Sequence, residues 1–467
     1  MKTKTIILSI IYLILPATYI AGQTEFIKGV DISYLQQIEN LGGKYTEDGI
    51  EKDALDIFKD HNVNYIRLRL WHTPTSNYNN LDKTLLMAQR IKEKGFKFLL
   101  NFHYSDTWAD PAHQTKPAAW AGLSFPDLKD SVYQYTSKVI QALKGQNTLP
   151  GMVQIGNEIN CGMIWNEGRV CDSYNTTQQW DGLAELINEG IRGVKENLDA
   201  QDSVKIMIHN WDAGDNAANR WFLDRITARG VDFDIIGQSY YPWWHGNMST
   251  VRTNLNDLAQ RYDKEIIIVE AAYPWTLSWY DNTNNIVGLE SQLHPGYPAS
   301  VEGQKAFLID LMQIILEVPE HKGAGIFYWA PEYISVPGLG SSWENLTLFS
   351  FQGEVLNSIT AFDSIATSVL PEIRRPSDYV LIQNYPNPFN ATTVISWCVG
   401  ATPMSPRLVD LSIYNLLGQK ISMLVSEKQK AGSYKVEWDA STLPSGVYLC
   451  RLQAGSFTAT KKLVLLR

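Results

Sequence analysis

Glu158 and Glu270 are the residues of this chain best placed to do chemistry. The first closes the run Met152-Val-Gln-Ile-Gly-Asn-Glu158 and the second closes Glu265-Ile-Ile-Ile-Val-Glu270. A carboxylate at the end of a buried strand is costly to keep charged. Read alone, each could be a solvated strand end. The two sit in near-identical contexts, each followed by an aromatic-rich loop. If they converge in one pocket their proton affinities can be pushed apart, leaving one acid and one nucleophile. Such a pair can cleave a glycosidic bond, with the carboxyls roughly 5 Å apart if the anomeric configuration is retained.

Aromatic residues strengthen that reading. Thirteen of the fifteen tryptophans lie between residues 71 and 343, and Trp71, Trp108, Trp165, Trp211, Trp243, Trp244, Trp275 and Trp329 follow strand-like runs closely. An indole face suits the C–H face of a pyranose, and its N–H can bond a hydroxyl. His103 and His209 stand where they could bind sugar hydroxyls or orient neighbours. No CxxC or Cys/His cluster has metal spacing.

These side chains need a scaffold. Apolar runs at Phe26–Ser33, Tyr65–Trp71, Phe96–His103, Met152–Glu158, Val204–Asn210, Asp234–Tyr240, Ile266–Glu270 and Ala324–Trp329 alternate with helix-like stretches such as Leu81–Lys94, Leu128–Leu143, Trp180–Leu198, Leu255–Tyr262 and Gly303–Leu316. Eight strands alternating with helices predict an α/β fold, a (β/α)8 TIM barrel over residues 23–370. A doubly wound sheet is the alternative, but Gly29-Val-Asp-Ile-Ser33 is not the glycine-rich turn it would need. Continuous apolar runs such as Ile266–Val269 fit parallel strands buried on both faces. Active sites of such barrels gather at the C-terminal strand ends. There stand Asp31, Arg69, Trp71, His103, Asn157, Glu158, His209, Asn210, Tyr240, Tyr241, Glu270 and Trp329.

The whole chain has 467 residues, enough for two units, and ordinary globular composition, 45% apolar and 19% charged. Its formal charge of −9 argues against nucleic acid or an anionic membrane as partner. Residues 1–22, with two lysines before a short apolar core and Ala21-Gly22 at its end, read as a secretory signal peptide. Outside the cytoplasm, Cys161 with Cys171 and Cys398 with Cys450 could each form a disulfide. The first pair would close the loop beyond Glu158 and hold Trp165 as a sugar platform. Pro371–Ser377 reads as a linker. Residues 378–467 alternate short strand-like runs with turn signals and predict a small all-β sandwich domain.

Specific motifs carry a resemblance to a known family. Arg67-Leu-Arg-Leu-Trp71, Asn101-Phe-His-Tyr-Ser-Asp-Thr-Trp-Ala-Asp-Pro111, Thr115-Lys-Pro-Ala-Ala-Trp120, Gly156-Asn-Glu-Ile-Asn160, Ser239-Tyr-Tyr-Pro-Trp-Trp-His-Gly246 and Val269-Glu-Ala-Ala-Tyr-Pro-Trp275 occur in this order. Residues 26–366 thereby resemble the arabinogalactan endo-β-1,4-galactanases of glycoside hydrolase family 53. The resemblance implies Glu158 as acid/base and Glu270 as nucleophile of a retaining mechanism on galactan, the polysaccharide substrate. It places substrate contacts on Arg69, Trp71, His103, Asp106, Trp108, Asn157, His209, Asn210, Tyr240, Tyr241, Trp244, His245, Tyr273, Trp275 and Trp329. Within that set, Asn157 is expected to bond the sugar 2-hydroxyl, Arg69 to hold Glu270 ionised and Tyr240 to donate to it. Other retaining (β/α)8 glycanases, a mannanase or glucanase, and a weakly active galactan-binding protein are the alternatives.

No cofactor is implied. Some family members bind structural calcium, but Asp281-Asn-Thr-Asn-Asn285 has poor ligand spacing and reads as an Asn-rich turn. Where the family often reads Trp-Glu-Pro this chain has Trp329-Ala-Pro-Glu332, which leaves open whether Glu332 replaces the lost glutamate. Leu381–Asn390, Ile413–Gln419, Leu443–Tyr448 and Lys461–Arg467 resemble the C-terminal sorting domains of the type IX secretion system. That implies export by the secretion machinery through the periplasm of a Gram-negative bacterium, to the medium or the cell surface. A monomer is expected.

Overall fold

The structure, a computed structural model, describes residues 25–365, 380–381, 384, 386–399, 407–429, 432–455 and 457–466. The expected signal peptide and linker lie outside these. The chain falls into two compact units, up to residue 368 and from residue 369.

In the first unit eight parallel strands close into a barrel: β1 (Ile27–Asp31), β2 (Tyr65–Leu70), β3 (Lys97–Phe102), β4 (Met152–Ile155), β5 (Lys205–Asn210), β6 (Ile235–Tyr240), β7 (Glu265–Ala271) and β8 (Gly323–Trp329). Each strand pairs with its sequence neighbours, and β1 pairs with β8. All eight runs expected from the sequence are strands. The fourth is shorter than its apolar pattern, ending at Ile155, because Gly156 and Glu158 both turn left-handed, with φ of 76° and 48°. That sharp exit costs Glu158 strain that only a surrounding structure can hold.

The barrel interior is filled by side chains such as Tyr65, Leu99, Met152, Met207, Ile267, Val269 and Phe327. Gly29 lets the Phe327 ring in: a Cβ there would lie 2.3 Å from it. Helices Leu81–Glu93, Phe125–Gly145, Thr177–Lys195, Asn216–Thr227, Met248–Tyr262 and Val301–Leu316 cover the outside. Each starts after a residue whose side chain accepts a first-turn N–H, in order Asn80, Ser124, Thr176, Asp215, Asn247 and Ser300. Among the described residues no helix is long and apolar enough to cross a membrane.

The second unit is all-β. β9 (Val380–Leu381), β10 (Thr392–Val399) and β13 (Gly432–Asp439) form one antiparallel sheet, in the order β9-β10-β13. β11 (Arg407–Tyr414), β12 (Lys420–Gln429), β14 (Gly446–Ala454) and β15 (Phe457–Leu465) form another, in the order β12-β11-β14-β15. Trp397 and Trp438 from the first sheet share one core with Leu411, Ile413, Leu452 and Leu463 from the second. Both tryptophans are buried, so neither offers a sugar platform. Cys450 is a buried free thiol; the Cys398 side chain lies outside the described residues.

Candidate active site

A cleft of about 560 Å³ opens over the C-terminal ends of the barrel strands, and both glutamates line it. Glu270, at the end of β7, is held by Arg67 of β2. Arg67 Nη1 lies 2.9 Å from Glu270 Oε1 and 2.9 Å from Asp31 Oδ2, so one guanidinium nitrogen bridges two buried carboxylates. Tyr241 donates its hydroxyl to Glu270 Oε2 at 3.0 Å. These contacts replace two sequence expectations. Arg69 does not reach Glu270; its guanidinium is stacked between Tyr34 and Trp108, 4.2 Å from each ring centroid. Tyr240 points away, donating to Gly246 O at 3.1 Å and stacking on Phe307.

Glu158 reaches the cleft from the turn after β4. Its Oε1 accepts from Ser239 Oγ at 2.7 Å. Burial pushes both carboxyls up, and the two are separated by their neighbours. Glu158 is raised well above the usual range by desolvation first and by the Glu270 charge second. Glu270 is raised less, because Arg67 and the Tyr241 hydroxyl stabilise its charge against burial. The surroundings therefore favour the protonated form more strongly at Glu158 than at Glu270.

Asn157 stands between them in the chemistry. Its Oδ1 accepts from Arg67 Nη2 and Asn101 Nδ2 at 3.0 and 2.9 Å, and its Nδ2 donates to Ala109 O at 2.8 Å. One amide proton remains for a ligand in the cleft. His103 Nδ1 accepts from Trp71 Nε1 and from Ala109 N, both at 3.2 Å, so its ring proton sits on Nε2. Burial holds that ring neutral. His245 Nδ1 accepts from Tyr241 N at 3.0 Å, and burial lowers its pKa to about 4. Trp108, Trp329, Trp343, Trp211 and Trp244 supply the aromatic walls. Trp244 is half exposed at the mouth.

Of the expected site residues, the cleft gathers Glu158, Glu270, Arg69, His103, Trp108, Asn157, Tyr241, Trp244, His245 and Trp329. The others stand behind it. Trp71 is buried, its N–H given to His103, its ring edge-on to Trp108 at 5.4 Å. Asp106 ties two loops by accepting from Thr73 N and Ala118 N, each at 2.8 Å. His209 is fully buried beneath Glu158. Asn210 gives its amide to Asn219. Tyr273 is buried against Phe307, its hydroxyl on Tyr297 O. Trp275 packs on Phe351. Cys161 and Cys171 are disulfide-bonded, with Cα atoms 5.0 Å apart. Trp165, in the loop they close, does not line the cleft: the Arg169 guanidinium lies over its ring at 4.5 Å and its N–H goes to Cys161 O.

Sequence reasoning left out Tyr34, Arg67, Asn101, Asp110, Ile286, Ser342 and Trp343 as site residues. Arg67 and Asn101 lie inside motifs already marked, whereas Ile286, Ser342 and Trp343 sit on irregular loops with no periodic signal. Glu332 does not take the place of the absent glutamate. It is fully buried off the cleft, accepts from Tyr34 N at 3.1 Å, and is pushed up to about 8 by burial. The Asn-rich turn spends its one carboxylate on protein donors. The Asp281 carboxylate is filled by Thr283 N, Ser335 Oγ and Ser341 N. Among the described residues no group of three or more His, Cys, Asp or Glu side chains gathers there to hold a metal.

Comparison with known proteins agrees with this geometry. The family model of glycosyl hydrolase family 53 matches residues 27–362, and that of a secretion system C-terminal sorting domain matches residues 383–466. An uncharacterised protein of Niallia circulans is 50% identical over 346 residues, 73% of this chain and 94% of that protein. The arabinogalactan endo-β-1,4-galactanase of Cellvibrio japonicus is 34% identical over 341 residues, 71% of this chain and 88% of that protein. Among solved structures, the family 53 catalytic domain of Ignisphaera aggregans is 40% identical with a TM-score of 0.68, covering 72% of this chain and 95% of that one.

Proposed function

The chain belongs to glycosyl hydrolase family 53, and on that premise we propose that it is a retaining endo-β-1,4-galactanase acting on the galactan side chains of pectin. The observation that carries the reaction is the pair of buried carboxyls with unequal surroundings, Glu158 driven toward its acid form and Glu270 kept an anion by Arg67 and Tyr241. Glu270 attacks the anomeric carbon, and the bond to the leaving oxygen breaks as Glu158 protonates it. In the resulting ester Glu270 no longer carries a charge. Glu158 loses the repulsion that raised it and takes a proton from water, which releases the sugar. The free amide proton of Asn157 is positioned for the 2-hydroxyl, a contact that strengthens in the transition state. The tryptophan walls hold the sugar faces. This chemistry requires no metal or organic cofactor, and a monomer suffices, since one chain supplies every group named.

Secretion follows from the C-terminal sorting domain. The finer route is part of the proposal: residues 1–22 take the chain to the periplasm of a Gram-negative bacterium, and the tail directs it across the outer membrane.

A substrate panel tests the activity. Reducing sugar should appear with β-1,4-galactan, little with mannan or β-glucan, and the first product should keep the β-anomer by NMR. Preference for mannan would transfer the chain to another glycanase class. Galactan binding without turnover would leave a binding protein, and an inverted product would overturn double displacement.

A further inference from the structure

Ser239, at the end of β6, is fully buried, and its hydroxyl lies 2.7 Å from Glu158 Oε1 and 2.9 Å from His209 Nε2. A hydroxyl has one proton, so it can donate to only one of these neighbours. The histidine decides which. His209 Nδ1 faces the Glu158 backbone N–H at 3.4 Å and, at 3.1 Å, the Gln154 amide nitrogen, which also donates to Gly156 O and Asn157 Oδ1; neither nitrogen can accept a proton from the ring. The Gln154 amide cannot be turned round, because its Oε1 takes Nε–H and Nη2–H of Arg67 at 3.3 and 3.1 Å. The Asn157 carbonyl, 3.1 Å from Nδ1, already accepts from Arg67, Asn101 and Gln154 at 3.0, 2.9 and 3.0 Å. Nδ1 is therefore an acceptor. Burial, with the nearby charge of Arg67, keeps the ring neutral, so its one proton sits on Nε2 and goes to Ser239 Oγ. Ser239 has only Glu158 Oε1 left to donate to.

We propose that Ser239, aimed by His209, is a positioning residue that holds Glu158 Oε1 as an acceptor throughout the cycle and leaves Oε2 as the oxygen that gives and retakes the proton. This rests on Glu158 being the acid/base. In the first step the Oε2–H bond breaks and the proton passes to the glycosidic oxygen as the C–O bond cleaves. In the second a water O–H bond breaks and its proton returns to Oε2, while the oxygen bonds to the anomeric carbon as the bond from that carbon to Glu270 breaks and its electron pair restores the Glu270 carboxylate. The hydrogen bond to Oε1 stops the carboxyl rotating and favours its ionised form. The charged or titratable groups facing Glu158 are Glu270 from β7, Arg67 from β2, Asp110 from the loop after β3, His209 from β5 and Tyr241 after β6. Of these groups His209 alone is named above as bonded to Ser239, and changing Ser239 to alanine takes the acceptor from its Nε2–H.

The test is Ser239→Ala in the full-length enzyme. Without the donor, Glu158 holds its proton more tightly, so the alkaline limb of kcat/KM on galactan should rise by about half to one pH unit. Turnover of galactan should fall about tenfold or more, while a dinitrophenyl β-galactobioside, whose leaving group needs no acid, should lose less than about threefold. Ser239→Thr, which restores the hydroxyl, should return the limb. A folded Ser239→Ala with an unmoved limb, or with equal losses on both substrates, overturns the proposal. If Ser239→Ala does not fold, Ser239→Cys, a weaker donor of similar shape, must raise the limb by a smaller amount; an unmoved limb there overturns it too. Glu158→Ala is the separate control. Activity kept on the dinitrophenyl substrate but lost on galactan upholds the acid/base reading even where the Ser239 result fails.

Discussion

Arg67 is the residue whose loss the site could least absorb. Its guanidinium reaches Asp31, Glu270, Gln154 and Asn157 from one buried position. A lysine has the charge but not the planar fork. Arg67→Lys should therefore leave some of these acceptors unpaired, lowering kcat about a hundredfold or more while KM changes little, as steady-state kinetics on galactan will read. Glu332 is a different case, a buried acid whose pKa stands near 8 in the folded chain with Oε2 unpartnered. Its folded pKa is raised. Between the unfolded carboxylate range and about pH 8 the unfolded chain has lost a proton that the folded chain still holds. Stability must fall as pH rises through that window, by at most about 1.4 kcal/mol per pH unit for one proton. Glu332→Gln imitates the protonated form and should remove that slope. Denaturant unfolding at pH 5 and pH 8 will show it: the variant should gain on the natural chain at pH 8, and equal differences at both pH values would refute the account.

At the scale of elements, the loop after β4 shows what a short cross-link can do. Cys161 and Cys171 are ten residues apart in sequence, so the entropy model allows at most about 3 kcal/mol for closing the loop. The turn lies three residues beyond Glu158, and Gln114 donates to Asn157 O while Trp165 N donates to Gln114 O. The double variant Cys161→Ser/Cys171→Ser should lower the melting temperature by several degrees and lower kcat more than it raises KM. A KM change alone would mean the loop binds sugar directly. The eight strands themselves were legible, because parallel strands buried on both faces are continuous apolar runs, as at Ile266–Val269. Which strand-end side chain enters the cleft was not. Arg67 and Arg69 share a face, and only the depth of the barrel decides that the first reaches Glu270. Tyr240 and Tyr241 are neighbours that point different ways, and on β7 a local irregularity just before Glu270 adds one residue. Gln238 pairs with Ile268 but Ser239 with Glu270, so the register slips by one residue. Such a bulge re-aims side chains at a site without any mark in composition.

Among the described residues the barrel unit has one core around the barrel and another inside it, and the sandwich has a core of its own. Every cleft residue comes from the stretch Asp31 to Trp343. The barrel unit also has its own closure: Lys28 Nζ, buried in β1, donates to Phe362 O and Ile365 O at 2.7 and 2.5 Å. Truncation must therefore keep residue 365, or it strands a buried ammonium. Cut after Pro371, the chain keeps that clasp, both carboxyls, the Ser239–His209 pair and the disulfide. Its kcat and KM on soluble galactan should match those of the full chain, while the sorting domain that marks it for secretion is gone. In the native host such a truncated protein should accumulate in the periplasm, measured by fractionation with galactanase activity as the readout. A fall in turnover would show that the tail serves the cleft. Normal export with weaker binding to insoluble galactan would make the sandwich a sugar-binding module, a role its two buried tryptophans do not equip it for.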